Sequence, residues 1–369
     1  MSTGYSIRIL LFAVLIQAAI TSAWAAPLPS AAGVYVLAKK DVPVPIETLA
    51  NQNVDGVALR YSWSVLEPSD GVYDWSSVDQ DVESAHKYGK KVSLSVAAGI
   101  WTPAWVFDEG TESLSITWNK SWGPPPCSIQ RVPVPWNNTY LSKWTAFIAA
   151  FGKRYAQNPT VASIKMTGLN TASEETNLPR TINYQKMHGF VSSCVKAESE
   201  DINSQWPQHG YSSQKVLDSW RVMLAAWMKA FPNQWLVLMI TPDGFPTFGP
   251  EDNTSAIKMA SSLVDESSHT LQDRFIVQSD SLSAKWNWTP ASPGLLLGYQ
   301  MLWNVTGDSN CRMNHLEKPC DPLQVLQTSL DRGIAAKAIF IEVYLVDVLN
   351  PAMQGILAKS HDQLSPHKR

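Results

Sequence analysis

The feature that constrains this chain most is an eightfold alternation of short apolar, β-branched runs with longer stretches of helical periodicity. The runs are 33–38, 55–61, 91–96, 162–167, 235–240, 274–278, 294–299 and 338–342, each bounded by Gly, Pro, Asp or Asn. Between them, 76–88 opens on a Ser cap and stops at Gly89. Residues 140–155 carry Leu141, Trp144, Phe147, Ile148 and Phe151 on one helical face. Residues 213–231 repeat that stripe with Val216, Trp220, Leu224 and Trp227, and Pro232 ends it. Stretches 323–330 and 353–357 close the last two units, whereas the unit after the sixth run is poor in helix and the first helix is short. Eight strands, each followed by a crossover, predict an α/β fold: a single (β/α)8 TIM barrel. With no fixed-period repeat and no low-complexity linker, residues 26–369 read as one domain.

Composition excludes two broad classes. The 369 residues are 45% hydrophobic and 17% charged with a net charge of −3, which suits neither a disordered chain nor a basic nucleic-acid binder. Residues 1–25 read as a signal peptide: Arg8, an apolar run over 9–20, and Ala23-Trp24-Ala25 as the cleavage site. That run is too short to cross about 30 Å of hydrocarbon, so a secreted protein (extracellular or periplasmic) without a stable membrane anchor is expected. Four cysteines in an oxidising compartment predict two disulfides. Of three possible pairings, Cys311–Cys320 closes a short polar loop and is preferred, leaving Cys127–Cys194. Sequons lie at Asn119, Asn137, Asn253, Asn287 and Asn304. Neither Cys nor His shows metal spacing, and no GxSxG elbow, phosphate loop or dinucleotide fingerprint is present, so no cofactor is expected. A monomer is expected.

The insertions fall on one side. Long loops follow the third run (99–138) and the fourth (168–211), at strand C-terminal ends, where barrel enzymes build active sites. These and the shorter loops after runs five to seven hold Trp101, Trp105, Trp118, Trp122, Trp136, Trp206, Trp286, Trp288 and Trp303. Indoles beside polar groups suit the apolar faces of sugar rings; the alternative is that they anchor the loops to the barrel.

The words Arg60-Tyr61-Ser62-Trp63-Ser64-Val65-Leu66-Glu67-Pro68, Gly71-Val72-Tyr73-Asp74-Trp75 and Asp79 resemble the second βα unit of clan A glycoside hydrolases, above all the family 42 β-galactosidase-like ones. Gly89-Lys90-Lys91-Val92 and Thr102-Pro103-Ala104-Trp105 extend the resemblance, which covers about residues 54–106 and is loose elsewhere. It implies that Arg60 sits beside the catalytic nucleophile and that an acid/base Glu follows strand four. There the sequence departs from the clan's Asn-Glu, because Asn170 is separated from Glu174 and Glu175. The loop is also similar to that of plant-type β-amylases, in which a Glu stands four residues before a Pro. That spacing selects Glu175 as general acid, with Glu174 as competitor and a solvated acidic loop as the alternative.

The second carboxylate is harder to place. The clan expects a Glu ending strand seven, but that run ends in Gln300, which cannot be a nucleophile. Strand eight carries Glu342, with Tyr344 and Asp347 after it. A Glu in an apolar strand is costly unless used or paired, so Glu342 is the candidate nucleophile or base, the alternative being a structural acid paired with Arg60. Arg60, Trp63, Trp101, Trp105, Asn170, Glu174, Asp243, Asp280, Gln300, Trp303 and Tyr344 are the expected substrate-binding set. Asp243 and Asp280 are also possible second acids. The expected activity is hydrolysis of a neutral oligo- or polysaccharide, weakly favouring inversion because strands four and eight lie opposite. The competing reading, kept open by Gln300, is a carbohydrate-binding barrel without catalysis.

Overall fold

Every one of the eight runs forms a strand in the computed structural model, which describes residues 1, 28–120, 122–181, 202–248, 253–290, 294–308 and 320–365. In chain order the strands are β1 (Gly33–Leu37), β2 (Gly56–Ser62), β3 (Lys91–Ala97), β4 (Ser113–Thr117), β5 (Ile129–Pro133), β6 (Val161–Lys165), β7 (Trp235–Met239), β8 (Phe275–Leu282), β9 (Leu296–Met301) and β10 (Ala338–Tyr344). All except β4 and β5 close into one parallel barrel in the order β1-β2-β3-β6-β7-β8-β9-β10. Closure is made by β1 against β10, with Tyr35 opposite Glu342. Glu342 is therefore on the eighth barrel strand.

Helices Ser76–Lys87, Asn138–Tyr155, Ser213–Ala230, Asn253–Leu271 and Pro322–Ala335 cross between successive strands, and Gln354–Leu364 follows the last. Between β8 and β9 no helix occurs among the described residues, and the first helix is only Ile46–Leu49. Each cap has a local cause. Asn137 Oδ1 accepts from Tyr140 N at 3.1 Å, and Ser212 Oγ from Lys215 N at 3.2 Å. At the helix beginning with Ser76 the cap is Asp74 rather than the serine: its carboxylate accepts from Ser76 N at 3.0 Å and Ser76 Oγ at 2.6 Å. Gly89 ends that helix at φ +67, a conformation that favours glycine.

The loop after β3 is not irregular. It contains the antiparallel hairpin β4–β5, with Ser113 opposite Pro133 and Thr117 opposite Ile129. Cys127, in its turn, and Cys320 are both disulfide-bonded. Cys194, Cys311, His188 and residues 2–27, where the signal peptide was read, lie outside the described residues.

Trp63 belongs to the core. It packs at 4.8 Å between ring centroids on Trp144, which stacks on Phe147 at 5.3 Å, and its Nε1 donates to Glu67 Oε2 at 2.7 Å. This aromatic layer seals β2 against helix Asn138–Tyr155 and accounts for the Leu-Glu-Pro word: Glu67 also accepts from Gly71 N at 3.0 Å.

The barrel interior holds a fully buried ion pair. Lys165 Nζ of β6 lies 2.8 Å from both carboxylate oxygens of Glu342 on β10. The pairing expected with Arg60 is thus made with Lys165. Breaking one side of such a pair leaves an unmatched buried charge. Lys165→Met should cost about 3–5 kcal/mol in urea unfolding, and Lys165→Met with Glu342→Leu should recover most of that loss.

Candidate active site

A cavity of about 750 Å3 opens at the C-terminal mouth of the barrel. Its floor and walls come from the ends of β1, β2, β8, β9 and β10, the loop after β6, and the β4–β5 hairpin.

The loop after β6 is built residue by residue. Gly168 starts it at φ +124, and a Cβ there would run into the Trp144 indole and the Met223 sulfur. Asn170 shapes the turn: its Oδ1 accepts from Gly168 N at 3.1 Å and its Nδ2 donates to Ser173 O at 2.9 Å. Thr176 N donates to Met239 O at 2.7 Å and Asn177 N to Leu169 O at 2.9 Å, which ties the loop to β7 and to itself. Glu174 is fully buried, with Lys40 Nζ at 3.0 Å and Arg60 Nη1 at 3.3 Å. Arg60 Nε also donates to Ala38 O at 2.9 Å, and Lys40 Nζ to Ala172 O at 3.1 Å. With both neighbours pinned, Glu175 lines the cavity.

The two adjacent acids are driven in opposite directions. Burial, the largest single influence on Glu174, pushes its pKa up, but the charges of Lys40, Arg60 and Lys165 together bring it down to about 2. Glu175 is pushed up to about 7 by burial first, then by the charges of Asp280 and Glu174, with Lys120 opposing. Asp280, on β8, rises to about 6, chiefly by burial and further through Asp243. The cavity thus holds two raised carboxyls, Glu175 in the loop after the fourth barrel strand and Asp280 on the sixth, and the charge of Asp280 adds to the rise at Glu175.

Of the residues read from the sequence, Arg60, Trp101, Glu175, Asp280, Gln300, Trp303 and Tyr344 line this cavity. Trp303 and Tyr344 stand 6.3 Å apart between ring centroids. Gln300 is buried and its Oε1 has no partner. The others fall elsewhere. Trp63 is core, and Trp105 meets it edge-on at 6.2 Å while donating to Glu67 O at 3.0 Å. Asn170 and Glu174 support the loop from behind. Asp243 is 78% exposed, beyond the rim, with Arg180 at 3.7 Å. Glu342 lies inside the barrel, clamped by Lys165 and absent from the lining; its placement gives it the structural role. Sequence reasoning missed Lys40, Lys120 and Arg180. Lys40 had a signal, a charged residue directly after the first strand. Among the described residues no group of three His, Cys, Asp or Glu stands ready to hold a metal.

Known proteins are similar in two ways. The family model described as Beta-galactosidase, that of glycoside hydrolase family 42, matches residues 39–219, just under half of the chain. Over that stretch the chain is similar to the family 42 glycoside hydrolases. A β-galactosidase of an Arthrobacter species is 28% identical over 102 residues, 28% of this chain and 14% of that protein. Beta-galactosidase GalA of Bacillus licheniformis is 34% identical over 73 residues, 20% of this chain and 10% of that protein. The chain thus matches only a small part of these relatives' length. Among solved structures, the catalytic domain of β-amylase from Paenibacillus polymyxa aligns with TM-score 0.57 at 11% identity, covering 93% of this chain and all of that one. The β-galactosidase of Marinomonas ef1 aligns with TM-score 0.50 at 13% identity, covering 89% of this chain and 59% of that one. Both share the closed barrel fold seen here.

The raised Glu175 pKa has a stability consequence. A carboxyl whose folded pKa exceeds its unfolded value binds more protons when folded, so stability declines as pH rises from the unfolded value to the folded one. For Glu175 that window runs from an ordinary 4.5 to about 7. Glu175→Gln should flatten the fall in melting temperature across this window, and scanning calorimetry on both proteins measures it.

Proposed function

We propose that this protein is a secreted glycoside hydrolase in which Glu175 is the general acid and Asp280 the second carboxylate. The observation that carries the reading is the pair itself. Both acids line the cleft, and each is held near neutrality by burial and like charge. A glycosidic oxygen is a poor leaving group until protonated. A carboxyl at about 7 is still protonated in a large fraction of molecules near neutral pH, and that fraction can deliver its proton. Asp280 titrates lower and is the better candidate to ionise, as nucleophile or as the base that activates water. Product stereochemistry distinguishes these: a covalent glycosyl-enzyme gives retention, direct attack by water gives inversion. Arg60 sits between Glu174 and the cleft and can bind sugar hydroxyls, as can Gln300. Trp303 supplies a flat apolar wall, whereas Trp101, with Nε1 fixed to Ala172 O at 2.6 Å, carries Lys40 Nζ 5.3 Å from its ring centroid.

The named relatives make an aryl β-galactoside the first substrate to test. Secretion belongs to the same reading and is supported by the apolar run at 9–20 and by the bonded state of Cys127 and Cys320, which suits an oxidising compartment. Cys127–Cys194 and Cys311–Cys320 are the pairs we propose.

One observation favours a second reading. β9 offers Gln300 where the clan places its nucleophile, as a carbohydrate-binding barrel without turnover would. Kinetics on aryl glycosides decides. Glu175→Gln and Asp280→Asn should each lower kcat by at least about 10²-fold. The wild-type profile should be bell-shaped, falling at acid pH as Asp280 protonates and at alkaline pH as Glu175 ionises, with apparent values belonging to the coupled pair. Near-normal turnover in either variant removes that residue from the pair. Polysaccharide binding with no turnover on any linkage supports the second reading.

A further inference from the structure

The cleft carries more positive charge than a neutral sugar needs. Lys39, Lys40, Arg60, Lys120 and Arg180 line it, in a chain whose net charge is −3. Four acids stand against these five cations when Glu175 is in its proton-donating form. Glu174 takes Lys40 and Arg60 at 3.0 and 3.3 Å. Asp243 stands 3.7 Å from Arg180 beyond the rim. Asp41 holds Ser62, accepting from its N at 2.8 Å. Asp280 is the fourth, on the far wall. Among the described residues, the acid-competent cleft therefore retains an excess positive charge.

Among the described residues, Lys120 makes no ion pair within 4 Å, unlike Lys40, Arg60 and Arg180. It comes from the β4–β5 hairpin and is held in the cleft by two indoles, with Nζ 4.9 Å from the Trp122 ring centroid and 5.6 Å from that of Trp118. Those ring faces hold an ammonium rather than an open stacking platform. Burial disfavours the charged lysine first; the charges of Glu175 and Asp280 favour it, and that of Arg180 opposes it.

We propose that the cleft binds a sugar bearing an anionic substituent, a carboxylate or a sulfate ester, with Lys120 and Arg180 as its ligands. This rests on the glycosidase reading for the protonation state of Glu175 and departs from the neutral substrate expected from overall composition. Arg offers a planar fork to such an oxyanion, and Lys a point charge on a positioned stem.

Equilibrium binding tests this without requiring turnover. Titration calorimetry on the full chain uses D-galactose, D-galacturonate and D-galactose 6-sulfate as probes. At least one acidic sugar should bind about tenfold or more tightly than galactose at low salt, and the gap should narrow as salt is added. Preference for galacturonate identifies the carboxylate, and preference for the sulfate ester identifies that group. Lys120→Met should abolish the preference and Lys120→Arg should keep it, with melting curves verifying that both variants fold. Equal or tighter binding of galactose overturns the proposal, as does an undiminished preference in folded Lys120→Met or failure of both acidic sugars to bind at millimolar concentration. Hydrolysis of an aryl galactoside with no acidic preference sinks this inference and leaves the glycosidase reading standing. Acidic-sugar binding without turnover on any linkage does the reverse.

Discussion

Glu174, clamped by Lys40 and Arg60, is the contact on which the site depends. It ties the loop after the fourth barrel strand to the ends of the first and second. A buried carboxylate with two cationic partners is tolerable only in a fixed geometry, because any loosening exposes a charge to a dry interior. The clamp therefore does two things. It holds the backbone so that the next residue, Glu175, lines the cleft, and it adds a permanent negative charge that helps Glu175 keep its proton. Two adjacent glutamates serve opposite purposes because one has partners and the other faces a like charge.

The rest of the barrel repeats this division between paired and poised charge. Lys165 and Glu342 cancel inside the wall, at 2.8 Å with both side chains fully buried. Asp347, just past β10, is likewise consumed, accepting from Val305 N at 2.9 Å and Thr306 N at 2.8 Å. Asp280 faces the open cleft and carries a pKa raised to about 6. Environment, more than residue type, separates the paired acids from those that line the cleft.

How much of this was legible follows from the range of each interaction. The barrel strands are spelled locally, in β-branched runs with Gly, Pro and Asp at their ends, and every run became a strand. The β4–β5 hairpin was not visible, since Ser-Leu-Ser-Ile-Thr and Ile-Gln-Arg-Val-Pro are short and largely polar and neither lies in the barrel. The place of Glu175 on the cavity wall was legible because its loop carries its own signals: a glycine start, an Asn turn and a proline end. The partner of Glu342 could not be read, because Lys165 is 177 residues away and no local word records the pairing. Trp63 and Trp105 were taken for sugar platforms for the same reason, as sequence gives an indole's position and not the face it buries.

The central claim is that Glu175 and Asp280 form one coupled acid pair in the cleft, and carboxyl titration by carbon-13 NMR tests it most directly. With the side-chain carboxyls of Glu and Asp labelled, Glu175 should titrate near 7 in the wild-type protein and measurably lower in Asp280→Asn, where the neighbouring charge is gone. A Glu175 resonance that titrates in the ordinary range near 4.5, or one that does not respond to Asp280→Asn, would contradict the account.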